Sequence, residues 1–80
     1  MFYTYVLKST LKEYYYIGST EDLRKRLQEH NLGKTKSIKH LVPFTLVYYE
    51  AYASKTFARK RELELKNNSF KKKELLDRIE

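Results

Sequence analysis

The sequence predicts an α+β domain, in which a small three-stranded sheet, antiparallel or mixed, is flanked by helices. Two segments near the start of the chain are rich in aromatic and β-branched residues, and the short polar loop between them is typical of a hairpin. A third such segment follows in mid-chain, between stretches of helical periodicity. The 80 residues are enough for one such domain, spanning 1–80, with the order β-β-α-β-α-α.

The first two predicted strands are FYTYVLK at 2–8 and EYYYIG at 13–18. Side chains alternate between the two faces of a strand, so Tyr16 and Gly18 should share one face of the second strand. If the two strands pair, Tyr5 of the first strand can lie on that same face, beside Tyr16.

The segment STEDLRKRLQEHN at 19–31 predicts the first helix. Ser19 or Thr20 can cap its N-terminus, since either hydroxyl can accept a hydrogen bond from a free backbone amide. Leu23 and Leu27 are four residues apart and should face the core.

The remainder of the chain predicts a loop, one strand and two helices. Gly33 should end the first helix, and the loop that follows leads to the strand FTLVYYEAY at 44–52. Ser54 can cap the helix KTFARKRELELK at 55–66, and the break NNS separates it from FKKKELLDRIE at 70–80, with its last leucines and isoleucine facing inward.

The charge of the chain favours a polyanionic partner. Seventeen Lys and Arg residues against ten Asp and Glu give a net charge of +7, which is typical of a nucleic-acid-binding surface. No run of 18 apolar residues is present, and no helix combines a broad apolar face with a basic one, so no membrane association is expected. The chain has no cysteine and no signal-peptide pattern, and we therefore expect a cytoplasmic protein without thiolate chemistry.

Four short elements stand in an informative order. They are YTY at 3–5, YIG at 16–18, the pair Arg26 and His30, and Glu62 within ARKRELELK. In order and spacing, almost the whole chain resembles a GIY-YIG nuclease domain. Tyr3 and Thr4 stand where the family name has glycine and isoleucine, whereas Tyr5 retains the tyrosine.

The resemblance implies metal-assisted cleavage of a phosphodiester bond, with DNA as the expected substrate. Glu62 would bind a single Mg²⁺, or Mn²⁺ in its place, since magnesium commonly takes one carboxylate together with waters and phosphates. Tyr5 and Tyr16 would activate the attacking water, and a neighbouring arginine or metal should lower the tyrosine pKa. Arg26 would bind the scissile phosphate through its planar guanidinium, and His30 would transfer protons.

Each of these residues also has an ordinary structural alternative. The tyrosines could be packing residues, Arg26 a solvated charge, and His30 a cap for the end of its helix. Arg26 and His30 lie beside the leucine stripe of the first helix, which argues that they are partly buried. Glu62 flanks the buried stripe of its helix, and a half-buried carboxylate needs a partner. The candidate ion-pair partners are Arg59, Arg61 and Lys66.

A second group of residues is expected to contact the nucleic-acid backbone. Its members are Gly18, Arg24, Lys25, Lys34, Lys36, Lys39 and His40. The glycine would allow close approach at the end of its strand, and the cations would bind phosphates with little sequence preference. Asn67 and Asn68 are further candidates, because members of the family often have an asparagine after the glutamate helix.

Three functional hypotheses follow. The first is a nuclease, and the second is a non-catalytic nucleic-acid-binding module that retains the nuclease scaffold. The third is a subunit that needs a protein partner to choose its target. The full set of catalytic residue types favours the first, while the choice between DNA and RNA and the preferred substrate structure stay open.

Overall fold

A computed structural model of the chain describes residues 1–79. Its strands are β1 (Phe2–Ser9), β2 (Tyr15–Thr20) and β3 (Phe44–Tyr52), and its helices are α1 (Leu23–Asn31), α2 (Lys55–Asn67) and α3 (Ser69–Ile79). A 3₁₀ helix, Lys36–Leu41, lies in the segment predicted as a loop. The predicted α+β class and the order β-β-α-β-α-α are confirmed. In residues 1–79, none of the helices is long and apolar enough to span a bilayer.

The sheet is antiparallel throughout, with strand order β2-β1-β3. On the central strand, Tyr5 is directly opposite Gly18 of β2 on one side and Tyr49 of β3 on the other. Leu7 is opposite Tyr16, so Tyr5 and Tyr16 are diagonal neighbours on one face.

Both faces of the sheet are covered, because strand alternation divides the apolar residues into two clusters. The first face, under α1 and the 3₁₀ helix, is built on Tyr5, Leu7, Ile38, Leu41 and Phe44, with Leu23 and Leu27 packed against them. The second face, under α2 and α3, is built on Val6, Ile17, Leu65 and Leu75, with Leu76 and Ile79 packed against them. The inward orientation predicted for the leucines of α1 and the apolar residues of α3 is confirmed.

The junction between β2 and α1 differs from the prediction. The strand does not end at Gly18 but continues through Ser19 and Thr20, which pair with β1. Neither residue is therefore available as the cap of α1. Asp22 takes that place, and its side chain accepts a hydrogen bond of 3.0 Å from the backbone amide of Lys25.

The end of α1 is closed by Gly33 and is fixed onto the sheet by Asn31. Gly33 has a φ of +77°, a left-handed conformation that glycine adopts readily, and its amide donates to the carbonyl of His30 at 3.0 Å. The Asn31 amide group accepts from the Phe44 amide at 2.7 Å and donates to its carbonyl at 3.1 Å. The two bonds of Asn31 tie the last turn of α1 to the start of β3, and so set the position of the neighbouring His30.

A separate polar cluster joins β3 to α2 on the second face. Glu50 accepts hydrogen bonds from Tyr48 and Tyr52 at 2.7 and 2.5 Å, and from Arg61 at 3.0 and 3.2 Å. Burial alone would raise the pKa of Glu50, but the hydrogen bonds led by Arg61 lower it. Arg61 pairs with Glu50 and Glu64, so of the three alternative partners named for Glu62 it is the one that is not used.

Candidate active site

Three rings that the sequence assigns to one site lie together on the first face. The ring centroids of Tyr5 and Tyr16 are 6.4 Å apart, and those of Tyr5 and His30 are 6.0 Å apart. Tyr16 and His30 make an edge contact at 4.8 Å. The expected common face of the two tyrosines is confirmed, and the last turn of α1 brings the histidine to them.

His30 is completely buried, and both of its ring nitrogens have partners. Nε2 lies 2.9 Å from the Tyr5 hydroxyl, and Nδ1 lies 3.0 Å from the hydroxyl of Thr35. Burial, together with the positive charge of Arg26, lowers the pKa of His30 to about 4. The imidazole is therefore neutral at pH 7, and its orientation is fixed from both sides.

Thr35 is a further residue of the site, which no pattern in the sequence indicates. It directly precedes the 3₁₀ helix, and its hydroxyl reaches back to the histidine five residues earlier. A threonine between two lysines in a polar loop carries no signal of such a contact, because the contact depends on how the loop folds back over α1.

Gly18 makes room for Tyr5. A Cβ atom built on Gly18 would lie 2.5 Å from the Tyr5 hydroxyl oxygen and 2.6 Å from Cζ, closer than real Cβ contacts allow. The expected strand end at Gly18 is therefore wrong, because the strand continues through Thr20, and the phenol of Tyr5 fills the space beside the glycine. The contact of Gly18 with phosphate stays a prediction.

Gly18→Ala is expected to destabilise the fold by about 1–3 kcal/mol, the usual cost of inserting an atom into a packed core. The methyl group must push Tyr5 aside, and the movement should also break the bond to His30. Urea unfolding measures the loss of stability. Gly33→Ala, where the new Cβ has space but the positive φ is strained, separates a steric from a backbone effect. Wild-type stability in Gly18→Ala would contradict the close packing of Tyr5.

The electrostatics of Tyr5 differ from the expectation. Burial raises the pKa of the Tyr5 phenol to about 12, although the hydrogen bond and charge of Arg26 act to lower it. Desolvation prevails because Tyr5 is only 2% exposed. The phenol is therefore neutral in the free protein, and the predicted lowering of its pKa by the arginine is outweighed.

Arg26 lies at the boundary between this buried cluster and solvent. Its side chain is 35% exposed, and its Nη1 is 3.3 Å from Oε1 of Glu29. A hydrogen bond to Tyr5 helps to raise the Arg26 pKa, against the opposing effect of burial. The partial burial inferred from the position of Arg26 beside the leucine stripe is confirmed, and the guanidinium is held by neighbours on two sides.

Glu62 is buried, at 4% exposure, and each carboxylate oxygen has hydrogen-bond partners. Oε1 accepts from Ser19 at 2.7 Å and from Arg59 at 2.8 Å, and Oε2 accepts from Lys66 at 2.7 Å. Burial alone would raise the pKa of the carboxyl, but the bonds from Lys66, Ser19 and Arg59 together lower it. Glu62 is therefore ionised at neutral pH, and two of its three predicted ion-pair partners are present.

Glu62 supplies one carboxylate at this position, so the site suits a metal ion such as Mg²⁺, which can bind with a single protein carboxylate. Residues 1–79 contain no group of three histidine, aspartate or glutamate side chains that could enclose a metal. Mg²⁺ commonly binds one carboxylate, several waters and substrate phosphates, which agrees with an ionised Glu62. The carboxylate oxygens are in contact with the cations of Arg59 and Lys66, so a metal ion can bind Glu62 only if these two side chains move away.

The basic residues expected to contact nucleic acid are exposed. They are Arg24 and Lys25 on α1, and Lys34, Lys36, Lys39 and His40 in and before the 3₁₀ helix. Both elements cover the first face of the sheet, which also carries Tyr5 and Tyr16. The structure therefore places these charges on the same side of the sheet as the buried rings.

Asn67 and Asn68 lie at the junction between α2 and α3. Asn67 is the last residue of α2 and is exposed. The side-chain oxygen of Asn68 accepts a hydrogen bond from the backbone amide of Lys71 at 3.1 Å, as a cap of α3. This contact gives Asn68 a structural role.

Comparisons with known proteins agree with the motifs. The model of the GIY-YIG catalytic domain matches residues 1–74. UPF0213 proteins of Streptococcus pyogenes serotypes M5 and M3 are each 39% identical over 74 residues, which cover 91% of this chain and 79% of theirs. The solution NMR structure of a UPF0213 protein from Bacillus halodurans has a TM-score of 0.59 and 35% identity, and the match covers 100% of this chain and 86% of that one.

Proposed function

Because the chain belongs to the GIY-YIG family, whose members are generally nucleases, we propose that it hydrolyses phosphodiester bonds in DNA with a divalent metal ion at Glu62. One observation supports the proposal: the Tyr5 hydroxyl lies 2.9 Å from Nε2 of the neutral His30, and Arg26 is close enough to the same phenol for each group to shift the pKa of the other. The negative charge of Glu62 is close enough to act on the pKa of the same phenol.

Arg26 is the residue that would bind the scissile phosphate. Its guanidinium can offer two parallel N–H donors to phosphate oxygens, and at 35% exposure it can be reached from solvent. Glu29 and Tyr5 already orient it in the free protein, so little further ordering is needed when the substrate binds.

Tyr5 would take a proton from the attacking water while its own proton passes to His30. A guanidinium can only donate hydrogen bonds, so the interaction of Arg26 with Tyr5 uses the phenolic oxygen as acceptor and would direct the hydroxyl proton to Nε2 of His30. Nδ1 then carries the other ring proton and donates a hydrogen bond to the hydroxyl of Thr35. Because the pKa is about 12 for Tyr5 and about 4 for His30, separate ionisation is unfavourable. The two proton transfers must therefore be concerted with charge development on the phosphate.

Tyr16 and Glu62 would complete the site. Tyr16 lies beside both Tyr5 and His30 and would orient the water. A metal held by Glu62 would stabilise the charge that develops on the phosphoryl oxygens. Ser19 donates to Oε1 and would fix the direction of the carboxylate.

The proposal is tested by incubating the purified protein with labelled single-stranded, duplex and branched DNA, and with matched RNA, in Mg²⁺, Mn²⁺ or EDTA. We expect at least one DNA form to be cut with Mg²⁺ or Mn²⁺ and none to be cut in EDTA. Binding without cleavage under every metal condition would favour the alternative, a non-catalytic nucleic-acid-binding module on the same scaffold. Cleavage that persists in EDTA would contradict the role of the metal.

Changing Lys34, Lys36 and Lys39 together to alanine is expected to flatten the dependence of log affinity on log salt concentration. The slope should fall by roughly one unit for each phosphate contact that is lost. Fluorescence anisotropy over a salt series measures it. A control with Lys12, Lys60 and Lys73 changed to alanine removes the same charge from exposed positions elsewhere. Equal slopes for the two variants would mean that the loop lysines do not contact the DNA backbone.

A further inference from the structure

The Glu62 carboxylate is fixed in the protein, whereas its two positive partners reach solvent. The Glu62 side chain is 5% exposed, but Arg59 is 59% exposed and Lys66 39% exposed. Arg59 Nη1 and Lys66 Nζ occupy different oxygens, at 2.8 and 2.7 Å. Each carboxylate oxygen that a metal could use is thus in contact with a long side chain that has many rotatable bonds.

A divalent ion and these two cations compete for the same atoms. Like charges at contact distance repel strongly near a protein surface, so an ion cannot bind Glu62 while Arg59 and Lys66 stay in place. The side chains have space to leave. Arg59 lines a surface pocket of about 390 Å³, and Lys66 lines a pocket of about 180 Å³ with Tyr16.

We propose that Arg59 and Lys66 are exchangeable counter-ions of Glu62, which keep divalent metal off the free protein and move to phosphate oxygens when nucleic acid binds. This inference rests on the proposed function, in which Glu62 is the metal ligand. A phosphodiester supplies the negative charge that both released side chains need, and both bind phosphate well. The carboxylate is then free for the ion.

Metal and nucleic acid should therefore bind cooperatively. The free protein loses two ion pairs when metal binds alone, whereas in the presence of substrate those pairs are replaced by pairs with phosphate. Such coupling is reciprocal, so each ligand must raise the affinity for the other by the same factor. Coupling between sites typically amounts to about 5–150-fold, and we expect about tenfold here.

The test is the affinity of the purified protein for Mn²⁺, measured from the electron paramagnetic resonance signal of the free ion. The titration is run with and without a phosphorothioate DNA oligonucleotide that resists cleavage, and a titration of the oligonucleotide alone is subtracted. In the wild type, the oligonucleotide should tighten Mn²⁺ binding about tenfold. Lys66→Gln and Arg59→Gln should each bind Mn²⁺ more tightly than the wild type without oligonucleotide, and should gain less from its addition.

Two control variants make the outcome specific. Lys73→Gln removes the same charge from α3, where Lys73 pairs with Asp77, and should bind Mn²⁺ as the wild type does. Glu62→Gln should lose Mn²⁺ binding with and without the oligonucleotide. Unchanged binding in Glu62→Gln contradicts the proposed metal ligand itself. Binding that depends on Glu62 but is the same in the wild type, Lys66→Gln and Arg59→Gln contradicts only the exchange of counter-ions, as does tight wild-type binding without nucleic acid.

Discussion

Glu62→Gln is expected to abolish cleavage while the fold persists and DNA binds equally well or more tightly. Glutamine keeps the size of the side chain and can still accept the hydrogen bond from Ser19, but it is a poor ligand for Mg²⁺. Lewis-acid stabilisation is worth several kcal/mol, and each step of about 1.4 kcal/mol is tenfold in rate, so the rate should fall roughly a thousandfold or more. Single-turnover cleavage of end-labelled DNA measures the effect.

Glu64→Gln is the matched control for this prediction. Glu64 lies two residues further along α2, where it pairs with Arg61 and with Lys71 at the surface. Its replacement should leave the cleavage rate unchanged within a few-fold. If cleavage survives in Glu62→Gln and is lost in Glu64→Gln, the assignment of the metal ligand on α2 is wrong by two positions.

Arg26→Ala should cost about 3 kcal/mol or more in transition-state stabilisation, by comparison with the loss of one oxyanion-binding donor. The substitution removes two effects together, namely the phosphate ligand and the positive charge that favours tyrosinate at Tyr5. The single-turnover rate at saturating DNA should therefore fall more than the affinity does. Melting should shift little, because Arg26 is partly exposed and its ion pair with Glu29 is worth little.

Arg24→Ala provides the comparison for Arg26. Arg24 is an exposed arginine on the same helix, so its loss should weaken binding at low salt without changing the rate of the chemical step. Arg26→Lys separates the effect of the charge from that of the geometry, since lysine retains the charge but not the planar pair of donors. If Arg26→Ala cuts as fast as Arg24→Ala, the guanidinium has no role in the reaction.

Local patterns predicted the three strands and the three α-helices because each of them carried its own signals, whereas the 3₁₀ helix Lys36–Leu41 carried none. β-Branched and aromatic alternation marked the three strands, and Ser54 marks the start of α2 with a hydroxyl that accepts from Thr56. The start of α1 was misplaced because Ser19 and Thr20 are good caps in isolation, and only the pairing of β2 with β1 shows that they belong to the sheet. The pairing of β2 with β1 thus outweighs the local preference of serine and threonine for the start of a helix.

The candidate site was predicted in its residue types but not in its electrostatics. Spacing and resemblance selected Tyr5, His30 and Glu62, which the structure places in buried, hydrogen-bonded positions. Sequence alone could not give the raised pKa of Tyr5, because that shift depends on how fully the ring is covered. The same holds for the contact of Thr35 with His30, and for the hydroxyl of Ser19 on Glu62.

The central claim is that Tyr5 takes a proton from the water that Tyr16 orients, and single-turnover cleavage by Tyr5→Phe, Tyr16→Phe and the double variant tests it most directly. Tyr5→Phe also leaves Nε2 of the buried His30 without its partner, which should cost about 1–3 kcal/mol of stability, so urea unfolding must accompany the assay. Tyr49→Phe, at an exposed tyrosine on β3, is the control. We expect each single variant to slow cleavage strongly, with a combined cost in the double variant smaller than the sum, because groups that act together are not additive. Wild-type rates in both single variants, with the fold intact, would contradict the account and leave these tyrosines as packing residues.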